Sequence, residues 1–451
     1  MKFGIFYEHQ IGRPWEDDTD VRLIHDALEQ IELADRLGIQ YAWEVEHHFL
    51  EEYSHSSAPE VFLAAASQRT QRIRLGHGIV LTAPQFNHPA RVAERIAMLD
   101  LVSNGRVEFG SGESGSEAEL GGFGVPALRK RDAWLEGLET AIRCMVETPF
   151  TGVTGEFVSM PPRNVVPKPV QKPHPPLWVA CSRRDTILLA ARKGIGALTF
   201  AFIDPEEALH WVTDYERTLV DECVPIGFDV NPQVACVTPM MLHRDEGEAV
   251  RRGAEGANFF GYSLGHYYVF GTHRPGVTNV WQEYQERRGA QGYDPEAVAR
   301  AIEAERLGAK VAAGDTTGLR GCTGTPQQAR EYLRRYEEAG VDQVIFVLQA
   351  GRTRHDHIME SIELFGREVL PEFIERDAAA VERKQQRLAP HVDAALARKQ
   401  TATIDIGDYA FDALPKQWAD ATHDDSLNGQ LRKFADDRAA GRRDPSLGIL
   451  G

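Results

Sequence analysis

Apolar residues over the first 375 positions fall into short runs, separated by longer stretches in which they recur every three to four residues. The runs at 2–8 (KFGIFYE), 41–46 (YAWEVE), 73–81, 106–112 (RVEFGSG), 176–182 (PLWVACS), 196–202 (GALTFAF), 232–242 and 342–349 (DQVIFVLQ) predict strands. Helical periodicity occupies 20–38, 59–70, 89–101, 131–147, 185–194, 205–222, 326–339 and 357–369, the first stretch closed by Gly38. Eight strands separated almost throughout by helices imply a parallel sheet with right-handed crossovers. Eight such units close a (β/α)8 TIM barrel of the α/β class; a doubly wound open sheet is the alternative reading of the same alternation.

Three segments break the repeat. Residues 149–175 are rich in Gly and Pro and predict a hairpin with an extended connection. Residues 258–322, with aromatics and glycines (NFFGYSLGHYYVFG), form an insertion after strand 7, on the side where a barrel carries its active-site loops. Its length predicts a lid with its own helices. Residues 376–451 are first helical and then sparsely apolar, which predicts a flexible arm or a segment that packs on another subunit. The expected organisation is therefore a barrel over 1–375 and a C-terminal extension over 376–451.

Composition narrows the partners. Of 451 residues 42% are hydrophobic and 26% charged, as in a packed globule, and the net charge of −17 argues against nucleic acid. No apolar stretch reaches the ~20 residues of a membrane span, and the first ten residues (MKFGIFYEHQ) do not read as a signal peptide. The five cysteines (Cys144, Cys181, Cys223, Cys236, Cys322) are scattered and include no CxxC, which predicts reduced thiols in a cytoplasm.

Residues 110–115 (GSGESG) match GxGxxG and follow a strand, but SEAEL and then GGFG allow no long helix to receive a dinucleotide pyrophosphate. The plainer reading is a loop whose backbone approaches a ligand at the barrel mouth. Glu46-His47-His48 ends strand 2; in extended chain the two histidines point to opposite faces and cannot easily share a metal. His47 then has three readings: acid/base or cofactor-facing use, a metal ligand, or a structural histidine, with its place at a strand's C-terminal end favouring function. In CSRRDT (181–186), Ser182, Thr186 and Arg183 or Arg184 can receive a phosphate at a helix N-terminus, against ordinary capping by Ser182 or Asp185. Arg131 can supply a second cation.

Together MKFGIF, WEVEHHF, GHGIVLTAP, the HPARVAERIAMLDLVSNGRVEFGSG run and WVACS resemble, in order and spacing, the bacterial luciferase-like flavin-dependent monooxygenases over roughly 1–375. The resemblance implies a TIM barrel that takes reduced FMN from a separate flavin reductase and, through a C4a-peroxide, oxygenates a substrate with O2; the aromatic-rich insertion points to a small or medium apolar organic one. The resemblance places His47 as the catalytic acid/base. Its cofactor contacts fall on Glu46, His77, Gly78, Arg131, Val179, Ala180, Ser182, Thr186 and Thr199, with a non-proline cis peptide at His77-Gly78. Apart from the resemblance, the C-terminal tail is expected to contribute to a homodimer or higher homo-oligomer, and without HExxH, CxxC or a regularly spaced third ligand no metal is expected. One departure stands out: where relatives carry a phosphate-binding arginine after strand 4, this chain has Glu113, as in members of this fold that use deazaflavin coenzyme F420 for hydride transfer. A non-catalytic flavin-binding protein is the remaining alternative.

Overall fold

The computed structural model describes residues 1–200, 202–287, 321–400 and 404–411, with isolated positions between 433 and 441. Eight parallel strands close on themselves: β1 (Lys2–Tyr7), β2 (Tyr41–Glu44), β3 (Arg74–His77), β4 (Val107–Gly112), β5 (Leu177–Cys181), β6 (Gly196–Thr199), β7 (Val234–Leu242) and β8 (Gln343–Val347), with β8 pairing back onto β1. This is the predicted TIM barrel, and the strands fall on the eight predicted runs.

Helices α1 (Thr19–Leu37), α2 (Pro59–Arg69) and α3 (Pro89–Val102) cover the first units. α1 stops at Gly38, which takes the left-handed conformation (φ 93°) and caps the carbonyl of Ala34. A six-residue helix, α4 (Glu117–Gly122), precedes α5 (Lys130–Val146); α6 (Arg184–Arg192) and α7 (Pro205–Glu222) follow β5 and β6. The predicted hairpin is a short antiparallel pairing of Val153–Thr154 with Ser159–Met160.

Two tryptophans fill the barrel. Trp43 and Trp178 meet edge to face, ring centroids 5.4 Å apart. Glycines on neighbouring strands make room: a Cβ on Gly76 would lie 2.2 Å from Trp43 Cε3, and one on Gly196 2.6 Å from Trp178 Cε3. The Trp178 indole donates to Glu108 (2.6 Å), whose other oxygen pairs with Arg74 toward the N-terminal end of the strands. A charged residue in the barrel is thereby satisfied rather than stranded.

After β7 the chain forms α8 (Glu246–Gly265), a π-helical turn at His266–Phe270 and α9 (Val280–Arg287). The insertion thus grows out of a helix that starts before residue 258; its remainder, 288–320, lies outside the described residues. Cys322–Gly324 then pairs with the end of β7, and α10 (Pro326–Glu338) leads into β8 behind a Thr325/Gln328 capping box. Beyond β8 and α11 (His355–Leu364), α12 runs over Leu370–Arg398 without a break at residue 375. It buries Leu388 and Ala395, and Lys384 binds Asp342 at 2.7 Å. One compact unit spans Met1–Ala402 and a second Thr403–Gly451. Most of the second, 412–432 and 442–451, lies outside the described residues.

Candidate active site

A cavity of about 340 Å³ opens at the C-terminal ends of the strands, where barrels of this kind carry their sites. Glu8 reaches it from the end of β1, His47 from beyond β2, Gly78 and Ile79 from beyond β3, and Gly112 and Glu113 from β4. Ser182 and Arg183 come from β5, Phe200 and Phe202 from β6, and Phe260, Leu264 and Tyr268 from α8 and the π turn.

His47 stands between two buried carboxylates. Its Nδ1 lies 2.9 Å from Glu119 Oε1, and its Nε2 lies 3.5 Å from Glu8 Oε2. Burial opposes a charge on the ring, but the carboxylates of Glu8 and Glu119 outweigh it and hold its pKa up at about 9. Glu119, on α4, also accepts from the His48 amide (3.0 Å) and the Ser114 hydroxyl (2.6 Å). Burial would raise its pKa; the His47 charge and these donors bring it below the usual carboxylate range. Glu8 Oε1 accepts from the Tyr53 hydroxyl at 3.0 Å and the Glu8 carbonyl from the Ser54 hydroxyl at 2.7 Å, while Oε2 is buried without a hydrogen-bond partner. Burial pushes Glu8 up to about 7 despite the nearby imidazolium.

His48 turns the other way, as the alternation of extended chain requires. It meets Glu46 (3.2 Å) and packs its edge on Phe123.

Across the cavity, α6 begins without a side-chain cap: Arg183 occupies the N-cap position and neither Ser182 nor Asp185 caps the first amides. Its N-terminus is therefore open beside Ser182, Arg183 and Thr186, all on the cavity wall. Arg184, the other expected cation, is taken by Asp214, whereas among the described residues Arg183 has no carboxylate partner. Arg131 is also on the wall but pairs with Glu113, Nη2 to Oε1 at 3.1 Å. Arg131, the second cation expected from the sequence, thus offsets the charge of Glu113.

The sequence of residues 1–343 matches the model of the family described as luciferase-like monooxygenase. The chain belongs to that family. The oxygenase component of a flavin-dependent trigonelline monooxygenase from Acinetobacter baylyi is 25% identical over 382 residues, 83% of this chain and 96% of the relative. The first two curated relatives matched are uncharacterised, and the chain spans only 60% and 53% of their lengths. Among solved structures, monooxygenase RslO1 from Streptomyces bottropensis is 26% identical with a TM-score of 0.64, over 83% of this chain and all of that one. The coenzyme F420 dependent tetrahydromethanopterin reductase of Methanopyrus kandleri shares the fold at 22% identity and a TM-score of 0.55, over 82% of this chain and 99% of that one.

In this member of the family, the cavity wall contains His47, Gly78, Glu113, Arg131, Val179, Ala180, Ser182 and Thr186 of the residues expected from the sequence. Three expected contacts do not reach it. Glu46 is tied to the Leu81 amide (2.7 Å) and the Asn87 amide group (2.8 Å), and so braces the β3 loop. His77 is fully buried on the outer face of β3, where burial lowers its pKa to about 4. Thr199 is buried opposite Cys236 between β6 and β7. Strand parity explains the last two: Gly76 faces Trp43 inside the barrel, so the next residue, His77, points out, and likewise Leu198 sends Thr199 outward.

The expected cis peptide is also corrected. The cis bonds among the described residues all precede proline, and the Gly78 amide donates to the Glu44 carbonyl at 2.7 Å. Glycines of the GxGxxG match have close protein neighbours, while Gly112 and Gly115 also line the cavity. A Cβ on Gly110 would lie 2.0 Å from the His77 carbonyl oxygen, and one on Gly112 2.6 Å from Ile79 Cδ1. Glu8, Tyr53, Glu119 and Tyr268 were not among the expected residues. Only Glu8 carried a signal, as a carboxylate at the C-terminal end of a barrel strand.

Proposed function

We propose that this enzyme is the oxygenase component of a two-component, FMN-dependent monooxygenase. One observation carries the reading: a single cavity joins a histidine held between buried carboxylates to an uncapped helix N-terminus flanked by Ser182, Arg183 and Thr186. The second half fits a phosphate, because open helix amides, two hydroxyls and a guanidinium are the donors such a group takes. Val45, Ile79, Phe200, Phe202 and Phe260 give the rest of the wall an apolar, aromatic lining, which fits a flat ring system and a small or medium apolar organic substrate.

When bound, reduced FMN supplies the activation of O2, which side chains cannot provide. The chain's residues do the remainder. Arg183, Ser182, Thr186 and the α6 amides hold the phosphate end. The apolar wall keeps bulk water out. Glu119 fixes the Nδ1–H of His47, so that Nε2 faces Glu8 and keeps a proton available at neutral pH. The printed name of the A. baylyi relative, an oxygenase component, supports a separate reductase as the source of reduced flavin. Reduced, buried thiols at all five cysteines support a cytoplasmic setting. Among the described residues no helix is long and apolar enough to cross a membrane. A homo-oligomer belongs to the same proposal.

A second reading, hydride transfer with coenzyme F420, is favoured by Glu113 on the cavity wall. Its ion pair with Arg131 weakens that argument, since a neutralised carboxylate no longer repels a nearby phosphate. The test is anaerobic titration with reduced FMN and, in parallel, with F420. Tighter binding of reduced FMN, followed on admitting air by oxygen uptake and an oxygenated product, is expected. Preferential binding of F420 would overturn the proposal, and flavin binding without any oxygenated product would leave a flavin-binding protein.

A further inference from the structure

The two carboxylates flanking His47 differ in a way that a purely structural pair would not. Glu119 is saturated by three donors: the His47 ring, the His48 amide and the Ser114 hydroxyl. Glu8 is equally buried, yet its Oε2 has no hydrogen-bond partner and lies on the cavity wall, 3.5 Å from His47 Nε2. That separation is too long for a good hydrogen bond and leaves both atoms turned to the same space.

We propose that Glu8 is a second proton-holding residue of the site, and that the proton delivered to or taken from the cavity is shared between Glu8 Oε2 and His47 Nε2. Glu119 keeps its proton from His47 Nδ1 throughout and acts as a positioning residue. In the forward sense, the Nε2–H of imidazolium passes its proton into the cavity, leaving neutral imidazole. A proton on Glu8 then moves to Nε2, so that one proton has left the pair and the Glu8 carboxylate remains. No electron transfer is involved.

Two buried carboxylates with different surroundings are a recurrent way of separating a fixed anion from a group that titrates. The charged and titratable groups around the pair support this division. Tyr53, from the loop after β2, donates to Glu8 and favours its ionised form, as does the His47 charge. Burial, with the more distant Glu119 charge adding to it, disfavours that form, so that Glu8 titrates at about 7. Glu46 adds its charge to those of Glu8 and Glu119 in holding the proton on His47. Tyr268, from the π turn, is partly buried near both carboxylates, and its pKa is raised, so it stays neutral.

The inference rests on the cavity being the active site, but its test needs no cofactor. NMR titration of the His47 ring in the ligand-free protein is expected to give a midpoint near 9 in the wild type. Loss of a facing carboxylate should lower it by about 1 pH unit or more in Glu8→Gln, since a charge within ~4–6 Å moves a pKa by that much. Tyr53→Phe removes a donor to Glu8 and is expected to raise the lower midpoint, that of Glu8 followed by its side-chain carbonyl carbon. It keeps the charge on Glu8 and serves if Glu8→Gln fails to fold. In turnover, the pH profile should move with these midpoints rather than drop evenly. An unchanged His47 midpoint in Glu8→Gln, an unmoved Glu8 midpoint in Tyr53→Phe, or an activity loss equal at every pH would overturn the proposal. If the midpoints shift but neither reduced FMN nor F420 binds, the cofactor reading fails and the proton pair stands.

Discussion

His47 gathers the chemistry of the site at the scale of one residue. Replacing it by Gln removes the proton but keeps polarity, and turnover is expected to fall by ~10²–10⁴, the usual worth of a positioned acid/base group. Binding of reduced FMN, measured by anaerobic fluorescence titration, should change by no more than a few-fold, ~3 or less, because the phosphate cradle is on the other wall. The raised pKa also has a sign in pH. A proton on His47 is bound more tightly in the folded protein than in the unfolded chain, so its contribution is complete below the ordinary value of 6.5. It is lost as pH rises through about 9. The stability difference between wild type and His47→Gln, read from urea unfolding at a series of pH values, should therefore shrink between pH 6.5 and 9. Of this residue's surroundings the sequence carried half. The opposed directions of His47 and His48 follow from extended chain, but Glu119 comes from a stretch that local rules read as an unstructured glycine loop. It stands on α4, whose first turn is capped by the Ser116 hydroxyl accepting from the Ala118 amide.

At the scale of elements, the β–α alternation was legible nearly residue by residue, since hydrophobic period and glycine or proline punctuation agree along the first 375 positions. Period two within each strand turns His77 and Thr199 away from the cavity. The same parity makes Gly76 indispensable: its missing Cβ is occupied by Trp43. Gly76→Ala is expected to destabilise the barrel by at least ~1–3 kcal/mol through overpacking, seen as a lower urea midpoint at unchanged slope. The open end of α6 carries another expectation. Arg183→Ala or Thr186→Val removes a donor from the proposed phosphate site, and a hydrogen bond to a charged group contributes ~1.5–3 kcal/mol. Reduced FMN should then bind roughly 10–100-fold more weakly, while riboflavin, which has no phosphate, binds as before. Equal weakening of both would remove the phosphate assignment.

At the scale of the whole molecule, residues 376–398 read as an arm because an isolated amphipathic helix does not announce which surface will cover its apolar face. The covering surface is this chain's own barrel, where Arg387 meets Glu216 at 2.8 Å and Lys384 meets Asp342, whose pKa burial holds above the ordinary value although Lys384 opposes the shift. Cutting the chain after residue 375 should therefore damage the barrel itself. Loss of the Lys384–Asp342 pair, partly exposed to water, and of the Leu388 and Ala395 contacts is expected to cost ~2–4 kcal/mol. Thermal unfolding would report this as a fall of roughly 2–5 °C for a domain of this size. Cutting after Ala402, where the compact unit ends, should leave the melting temperature within ~1 °C, since every internal contact of that unit is kept. The two truncations separate the structural role of α12 from the proposed association. If the chain is a homo-oligomer held by its tail, sedimentation should give a smaller mass for the variant cut after Ala402 at full barrel stability. An unchanged mass would confine the association surface to the barrel.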